Sequence, residues 1–227
     1  MDISTKLTFL EQFPLFETLT PEDKRKLTQS VEFKRIPRYA PIYSPGDLSD
    51  KIYFLVKGTV KISAHYDDER EVIKGILHPL AMFGELCLVG EETRSDYARS
   101  MNGESQFFIL KLEDFKSLMK TNFQFSNSVL QMMGGRLRRA EGRLESLIFK
   151  DARARIIDFL KDAADRHGRR IGIDELLVKH SLTQQDIANI TGTSRQTVTS
   201  VLNDLKKLNL IHFTRRSFLI RDLAKLA

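Results

Sequence analysis

The sequence predicts an α+β protein made of a β-roll of the jelly-roll type, a long helix and a winged helix-turn-helix domain. Three observations support this prediction. Short β-rich runs separated by turn formers fill residues 31–110, apolar residues recur at spacings of three and four over residues 130–147, and a helix-turn-helix pattern occupies residues 182–202. We place the boundaries of the three parts at 1–124, 125–149 and 150–227.

The N-terminal part opens with a helix and then changes to strands. Thr20 and Pro21 mark a helix start, because a threonine side chain accepts from the free N–H groups of the first turn and proline suits the first helical position. Turn formers at Pro45-Gly46-Asp47 and Lys57-Gly58 separate the β-rich runs, and short strands with regular turns are typical of a barrel or jelly roll. The runs expected to form strands are 51–56, 59–63, 71–77 and 106–111, and a helix should follow over 112–120.

One segment of the β-rich part, residues 82–90, does not have the pattern of a strand. Gly84 opens a short apolar turn, and a glycine at the start of a helical turn presents free backbone N–H groups to an anion. Arg94 could add a bidentate contact to that anion, and Glu85 is suited to accept a hydrogen bond from a ribose hydroxyl. The alternative is a simple turn in which Arg94 pairs with a nearby acid. The candidate acids are Glu91 and Asp96.

The long helix carries an apolar stripe of the width found in coiled coils. Its apolar residues recur every three and four positions, and the positions between them are mostly charged. This pattern predicts a parallel dimer in which the same helix from two chains packs together. The alternative is an ordinary amphipathic helix packed on its own domain. The predicted seam residues are Leu130, Met133, Leu137, Ala140, Leu144 and Leu147.

The C-terminal part contains the spacing of a helix-turn-helix. Ala188 is small enough for a second helix to cross closely, Gly192 permits the positive φ of the turn, and Val198 buries the second helix against the first. A side chain that accepts from backbone N–H groups is expected at the start of each helix. The predicted caps are Thr183 for the first helix and Thr193 or Ser194 for the second.

The outward side chains of the second helix are polar and lie near its N-terminus, where a recognition helix contacts DNA bases. Arginine pairs bidentately with guanine and glutamine with adenine, while hydroxyls suit phosphates or base edges. The alternative is a solvent-facing helix of a small helical domain. The predicted DNA-contacting residues are Thr183, Thr193, Ser194, Arg195, Gln196, Thr199 and Ser200, with Arg215 and Arg216 at the basic tip of a hairpin formed by 210–213 and 217–220.

The charge of the C-terminal part favours one class of partner, and the single cysteine excludes several kinds of site. Residues 151–227 hold 14 Lys and Arg against 9 Asp and Glu, which favours a nucleic acid or another anionic partner for the C-terminal part. The single cysteine, Cys87, rules out an intrachain disulfide and a four-cysteine iron–sulfur or zinc site within one chain.

The sequence contains no nucleophile–base pair and no metal-ligand spacing that would indicate an enzyme. Because no long apolar run and no signal peptide are present, we expect a cytoplasmic protein without membrane contact.

The order of β-roll, long helix and winged helix-turn-helix resembles the catabolite-activator and fumarate–nitrate-regulator (CRP/FNR) family of bacterial transcription regulators, over nearly the whole chain. The family implies a roll of the cyclic-nucleotide-binding type, a homodimer on a two-fold operator in double-stranded DNA, a small-molecule effector and contact with RNA polymerase. The matching segments are Gly46-Asp47, Gly58, Phe83-Gly84-Glu85-Leu86, Arg94-Ser95, 133–137, Phe149-Lys150-Asp151 and 192–198.

The segment 83–95, called here the effector cassette, carries the family's nucleotide contacts. For phosphate and ribose, its cyclic AMP-binding members use residues that look like Gly84, Glu85, Arg94 and Ser95. Here the loop within the cassette is one residue shorter. The Thr-Ser pair that recognises adenine in those members corresponds to Ala140, which has no hydroxyl, and Glu141, which adds a negative charge. We therefore expect either a different cyclic nucleotide or a cassette retained for structure.

Two further alternatives stay open from the sequence. The resemblance also allows a haem-dependent gas-sensing regulator, for which the iron ligands in the effector region would be Cys87, His78 and His65. The favoured alternative is that Cys87 is a small buried side chain and that the histidines are ordinary surface or packed residues. A different class is a cyclic-nucleotide-binding adaptor whose helix-turn-helix makes only protein contacts.

Overall fold

The computed structural model describes residues 3–66, 70–101 and 103–226. Its internal contacts divide the chain into two compact units, of which the first runs to Arg138 and the second begins at Arg139, with Arg70–Ile73 grouped in the second. This division falls inside the long helix. The boundaries that we derived from the sequence lie near the two ends of that helix and stay a prediction. Among the described residues, no helix combines the length and apolar character needed to cross a membrane.

Within the described residues, the first unit contains two four-stranded sheets, four α-helices and two short 3-10 helices, although the end of the fourth α-helix and the start of the fifth strand fall in the second unit. Helices α1 (Ile3–Glu11) and α2 (Pro21–Ser30) precede the strands, and α3 (Leu112–Thr121) and α4 (Phe123–Phe149) follow them. The strands are β1 (Glu32–Ile36), β2 (Pro41–Tyr43), β3 (Lys51–Lys57), β4 (Val60–His65), β5 (Glu71–Leu77), β6 (Met82–Phe83), β7 (Tyr97–Ser100) and β8 (Ser105–Lys111). The sheets have the strand orders β1-β8-β3-β6 and β2-β7-β4-β5.

Strand β3 contributes to two apolar cores. Tyr53 and Leu55 join Ala98 of β7 in a cluster between the two sheets. Ile52 and Phe54 join the other cluster, which is formed with the helices. Because β3 is buried on both faces, its sequence is a continuous apolar run rather than an alternating one. The predicted jelly-roll architecture is confirmed.

Most of the predicted elements of this unit are present. Thr20 caps α2 by accepting a hydrogen bond from the backbone N–H of Asp23. Strands β3, β4, β5 and β8 and helix α3 match their predicted ranges to within a few residues. The prediction that residues 82–90 contain no strand is wrong at Met82–Phe83, which pairs with Phe54 and Tyr53 of β3. A strand of two residues is too short to show the alternation of apolar and polar residues from which strands are predicted.

The second unit is a winged helix-turn-helix, as predicted. Its helices are α5 (Ala152–His167), α6 (Gln184–Thr191) and α7 (Arg195–Lys207), and its strands are β9 (Arg169–Arg170), β10 (Leu176–Lys179), β11 (Ile211–Phe213) and β12 (Ser217–Ile220). The four strands form one sheet in the order β11-β12-β10-β9. The β11-β12 hairpin is the predicted wing, whereas β9 and β10 were not predicted. Ile156, Leu160, Ile187, Val198 and Phe218 are at the centre of the core.

Candidate functional site

Side-chain hydrogen bonds cap the N-termini of both helices of the helix-turn-helix. Thr183 and Asp186 form a capping box at α6, in which each side chain accepts from the backbone N–H of the other. At α7 the hydroxyl of Ser194 accepts from the backbone N–H of Thr197 at 3.0 Å. Ser194, and not Thr193, therefore fills the predicted capping position of the second helix. Thr183 and Ser194 stabilise the motif independently of any contact with DNA.

Gly192 makes the turn between α6 and α7 possible. Its φ is +62°, a left-handed conformation that other residues seldom adopt. A Cβ atom at this position would also lie 2.8 Å from Cδ2 of Leu147. Ala188 on α6 and Val198 on α7 are both buried. The three constraints that predict the motif from sequence are therefore all met.

Four of the side chains predicted to contact DNA lie together on α7: Arg195, Gln196, Thr199 and Ser200. Arg195, Gln196 and Ser200 are exposed, and with Thr199 and Asn203 they line one shallow surface pocket. Asn203 was not among the predicted residues. Its position, seven residues after Gln196 and four after Thr199, would have placed it on the same helix face. The predicted contact surface thus extends one turn further along α7.

Thr199 has a structural contact that the sequence did not reveal. Its hydroxyl donates a hydrogen bond to the side-chain oxygen of Gln184 on α6, with 2.6 Å between the oxygens. This bond connects the two helices of the motif. Arg195, Gln196 and Ser200 are consequently the predicted residues best placed to meet base edges.

The wing presents two arginines at its tip. Arg215 and Arg216 are exposed in the turn between β11 and β12. The hydroxyl of Thr214 accepts hydrogen bonds from the backbone N–H groups of Arg216 and Ser217, at 3.3 and 3.1 Å. The backbone N–H of His180 donates to the carbonyl oxygen of Arg216 at 2.9 Å. The turn is therefore fixed on both sides while both cations face solvent.

His180 packs under the wing and should make the stability of this unit depend on pH. Its ring centroid lies 5.4 Å from that of Phe213 and 5.5 Å from that of Phe218, and its Nδ1 accepts from the backbone N–H of Leu182. Burial lowers the pKa of His180 below its ordinary value of 6.5. The unfolded chain therefore binds a proton at a higher pH than the folded chain, and stability decreases as the pH falls below 6.5.

Replacing His180 by Asn should remove this acid sensitivity, because Asn keeps an acceptor for Leu182 but does not titrate. Thermal unfolding of both proteins between about pH 7.5 and about pH 5 is the measurement. The midpoint of the unsubstituted protein should fall more steeply towards acid than that of the variant. Parallel pH profiles would show that another group causes the acid sensitivity.

Arg155 of α5 supports the turn of the motif and was not predicted. Its Nε donates to the carbonyl oxygen of Thr191 at 2.8 Å, and its Nη2 to that of Gly192 at 3.0 Å. Its Nη1 donates to the carbonyl oxygen of Lys150 at 2.7 Å. Carbonyl groups at a helix C-terminus lack intrahelical partners and favour a cation. One guanidinium thus joins the start of α5 to the end of α6.

Replacing Arg155 by Met should lower the free energy of unfolding by about 1.5–3 kcal/mol, the usual contribution of hydrogen bonds from a charged group. Arg166→Met is the matched control. Arg166 lies on the same helix and forms an exposed ion pair with Asp162, and such pairs typically contribute less than about 1 kcal/mol. Denaturant unfolding measures both variants, and equal losses would contradict the role given to Arg155.

The effector cassette folds as a short 3-10 helix followed by a loop. Gly84 has a φ of +74° and precedes the helical turn Glu85–Val89, which is the single turn expected from the sequence. A Cβ atom on Gly84 would lie 2.9 Å from the ring of Tyr53 and 3.1 Å from the carbonyl oxygen of Lys51. Both the backbone angle and the space therefore require glycine.

Arg94 is buried in the first unit, and two of its three guanidinium nitrogens donate hydrogen bonds within the protein. Its Nη1 donates to the carbonyl oxygen of Gly84 at 2.8 Å, and its Nη2 to that of Lys51. The guanidinium carbon lies 4.6 Å from the ring centroid of Tyr43, a cation–π distance. Glu91 lies 3.5 Å from Nη1, so the acid pair that we considered as the alternative to an anion cradle is present.

Ser95 also contacts Glu91. Its hydroxyl donates to Oε1 of Glu91 at 2.7 Å. Asp96, the other acid considered for Arg94, has a different partner and lies 3.5 Å from Nζ of Lys74. Burial raises the pKa of Asp96. Arg94 and Ser95, two of the residues expected to bind the nucleotide phosphate, thus both contact the carboxylate of Glu91.

Glu85 is buried and forms an ion pair with Arg136 of α4. Arg136 also donates to the carbonyl oxygen of Met82. Arg136 was not among the predicted site residues, although it lies four positions before Ala140 on the same helix. Ala140 and Glu141 are exposed on α4 and belong to the second unit. Their assignment to the base side of an effector site stays a prediction.

Cys87 and the two histidines considered for haem have other surroundings. Cys87 is buried in the core with the helices, and its thiol donates to the carbonyl oxygen of Gly84 at 3.2 Å. Burial raises the pKa of this thiol to about 11, whereas haem iron is held by a thiolate. His65 packs 4.8 Å from Tyr97 between ring centroids, and His78 is half-buried. Within the described ranges, no group of three or more His, Cys, Asp or Glu could hold a metal ion.

Most of the predicted seam of α4 is exposed. Leu130, Leu137, Leu144 and Leu147 have exposed fractions between 52% and 64%, and Ala140 is exposed as well. A repeated set of exposed leucines on one helix face favours a partner surface. The remaining seam residue differs: Met133 is half-buried and packs against the core of the first unit.

Comparisons with known protein families identify both domains. The cyclic nucleotide-binding domain family matches residues 33–122. The Crp-like helix-turn-helix domain family matches residues 154–227. These ranges cover the β-roll and the winged helix-turn-helix described above.

Relatives and solved structures extend the similarity to nearly the whole chain. The CRP-like cAMP-activated global transcriptional regulator of Mycobacterium tuberculosis is 31% identical over 213 residues, 94% of each chain. The global nitrogen regulator of Synechocystis is 29% identical over 189 residues, 82% of each chain. The structure of FixK2 from Bradyrhizobium japonicum shares the fold, with a TM-score of 0.77 at 21% identity over 86% of this chain and 95% of that one. The chain therefore belongs to the CRP/FNR family of bacterial transcription regulators.

Proposed function

We propose that this regulator is a cytoplasmic homodimer that binds a specific two-fold DNA sequence, and that a small ligand in its N-terminal domain controls that binding. The observation that carries this proposal is the exposed face at the start of α7, formed by Arg195, Gln196 and Ser200. Because the relatives are transcription regulators, we propose no catalytic activity.

The chemistry of the α7 face supports sequence-specific binding. A helix whose N-terminal turn carries an exposed Arg and Gln can present bidentate donors and acceptors to guanine and adenine in the major groove. Arg215 and Arg216 on the wing suit the phosphate backbone, which positions a protein on DNA without reading its sequence. The excess of basic residues in 151–227 adds long-range attraction to the same partner.

The exposed leucines of α4 support the homodimer. Burying a leucine side chain typically contributes about 1.5–3 kcal/mol, so a seam of four leucines from each chain is a substantial source of association energy. A two-fold dimer places two recognition helices in successive major grooves. We therefore assign Leu130, Leu137, Leu144 and Leu147, with Ala140, to the dimer interface, and Met133 to its edge.

The names of the relatives point to different signals. One relative is named as cAMP-activated and another as a nitrogen regulator, so sequence similarity by itself does not select a ligand. The buried, protonated thiol of Cys87 gives no support to a haem-dependent gas sensor. Contact with RNA polymerase is proposed from the family relationship only.

Salt-dependent binding to duplex DNA tests the proposed function against an adaptor that contacts only proteins. Neutralising phosphates releases counterions, so the logarithm of affinity should fall linearly with the logarithm of salt concentration. Fluorescence anisotropy with labelled duplexes between about 50 and 200 mM salt measures this slope. Absence of duplex binding at the lowest salt, by a folded dimeric protein with and without cyclic nucleotide, would favour the adaptor.

A further inference from the structure

Glu91 lies at the centre of a set of hydrogen-bond donors that proteins use to bind oxyanions. Its Oε1 accepts from the hydroxyl of Ser95 at 2.7 Å and from the backbone N–H of Ser95 at 3.1 Å. Its Oε2 accepts from the hydroxyl of Ser49 at 2.8 Å and lies 3.5 Å from Nη1 of Arg94. A guanidinium, two hydroxyls and an amide are a typical phosphate-binding set. The carboxylate of Glu91 therefore sits where a ligand anion would be bound.

The backbone holds Glu91 in this position. The cassette loop is joined to residues 46–49 by three hydrogen bonds: Gly46 N–H to the carbonyl oxygen of Arg94 at 2.9 Å, Arg94 N–H to that of Asp47 at 2.8 Å, and Ser49 N–H to that of Glu92 at 2.9 Å. A group fixed in its bound position loses little further entropy when it binds. An external anion has no such advantage.

Charge balance at Arg94 gives a second reason why Glu91 stays in place. A buried guanidinium is costly unless an anion compensates it, and Arg94 is only 3% exposed. Burial alone would raise the pKa of Glu91, but the hydrogen bonds from Ser95 and Ser49 outweigh it and hold the pKa below its usual value. The carboxylate is therefore ionised at neutral pH.

One donor of Arg94 takes no part in the contact with Glu91. Nε of Arg94 is buried and has no acceptor among the residues that the structure describes. A carboxylate offers two oxygens, and both already have partners here.

We propose that Glu91 is an internal anion that occupies the phosphate position of the effector site, so that a phosphate-bearing effector binds only by displacing it. This inference rests on the proposed sensing role of the N-terminal domain. It follows that the unsubstituted protein binds cyclic nucleotides more weakly than it would without the Glu91 carboxylate. Glu91 is thus a specificity-determining residue of the cassette.

Calorimetric titration of the full-length protein with cyclic AMP, cyclic GMP and inorganic phosphate tests this proposal. Removing the internal anion by Glu91→Ala should tighten binding of at least one cyclic nucleotide by tenfold or more. Glu91→Gln keeps the size of the side chain without its charge and should give a smaller gain. Glu92→Ala, which removes the neighbouring exposed acid, is the matched control and should bind as weakly as the unsubstituted protein. Adding Arg94→Ala to Glu91→Ala should abolish the gain.

Two results would overturn the proposal. One is equal or weaker binding by Glu91→Ala than by the unsubstituted protein, and the other is no binding of any of the three probes to the variants. Circular dichroism checks that the variants are folded, and Glu91→Gln decides the question if Glu91→Ala is not. The titrations contain no DNA, so their outcome is independent of the DNA-binding test of the proposed function.

Discussion

Leu144→Glu should convert the protein from a dimer to a monomer and weaken its binding to a two-fold operator by at least about a hundredfold. In a symmetric seam the substitution would bury two carboxylates close to each other, which costs far more than a leucine pair contributes. A monomer also loses the link between two DNA-binding domains, each of which binds one half-site. Such a link typically raises affinity by a factor of about 10²–10⁴. Sedimentation velocity measures the first effect and anisotropy titration the second.

Gln131→Glu is the control for Leu144→Glu, because it introduces the same charge on α4 at an exposed position outside the seam. It should remain dimeric and bind the operator normally. If Leu144→Glu sedimented as a dimer as well, the interface would have to lie elsewhere than on the exposed leucines.

Arg195→Ala should lower the affinity for the operator by about 1–3 kcal/mol, which corresponds to roughly 5- to 150-fold, and relax the preference at one base pair of each half-site. The physical reason is the loss of a bidentate donor from the exposed N-terminal turn of α7. Titrations with the operator and with a series of single-base variants measure both effects.

Arg215→Ala provides the contrast for Arg195→Ala. As a phosphate contact at the wing tip, Arg215 should contribute equally on every sequence, and its loss should reduce the salt slope by about one. An Arg195→Ala variant that weakened all duplexes to the same degree would place Arg195 on the backbone instead of a base edge.

The fold was largely predictable because its main signals are local. The leucine spacing of α4, the cap at Thr20 and the positive-φ turn at Gly192 each depend on a few neighbouring residues. Strands β6 and β9 contain two residues each, which is too short for any periodicity to appear. The wing hairpin was predicted from its two apolar runs, but the strands that extend its sheet were not.

The candidate sites were less predictable, since their key contacts join residues far apart in sequence. The pair of Arg136 and Glu85 spans 51 positions, and the bond from Arg155 to Thr191 spans 36. The sequence allowed two partners for Arg94, a ligand anion or a nearby acid. In the structure Arg94 pairs with an acid of its own chain, Glu91.

Selection of duplexes from a random pool by the full-length protein tests most directly whether the dimer reads a specific DNA sequence. We predict an enriched motif of two inverted half-sites whose centres lie about one helical turn apart, roughly 34 Å, because two recognition helices related by a two-fold axis meet successive major grooves. Selection with Arg195→Ala should weaken the base preference at one position, and equally so in both half-sites. No enrichment over the starting pool, or a single asymmetric site, would contradict the account of a dimeric, sequence-specific regulator.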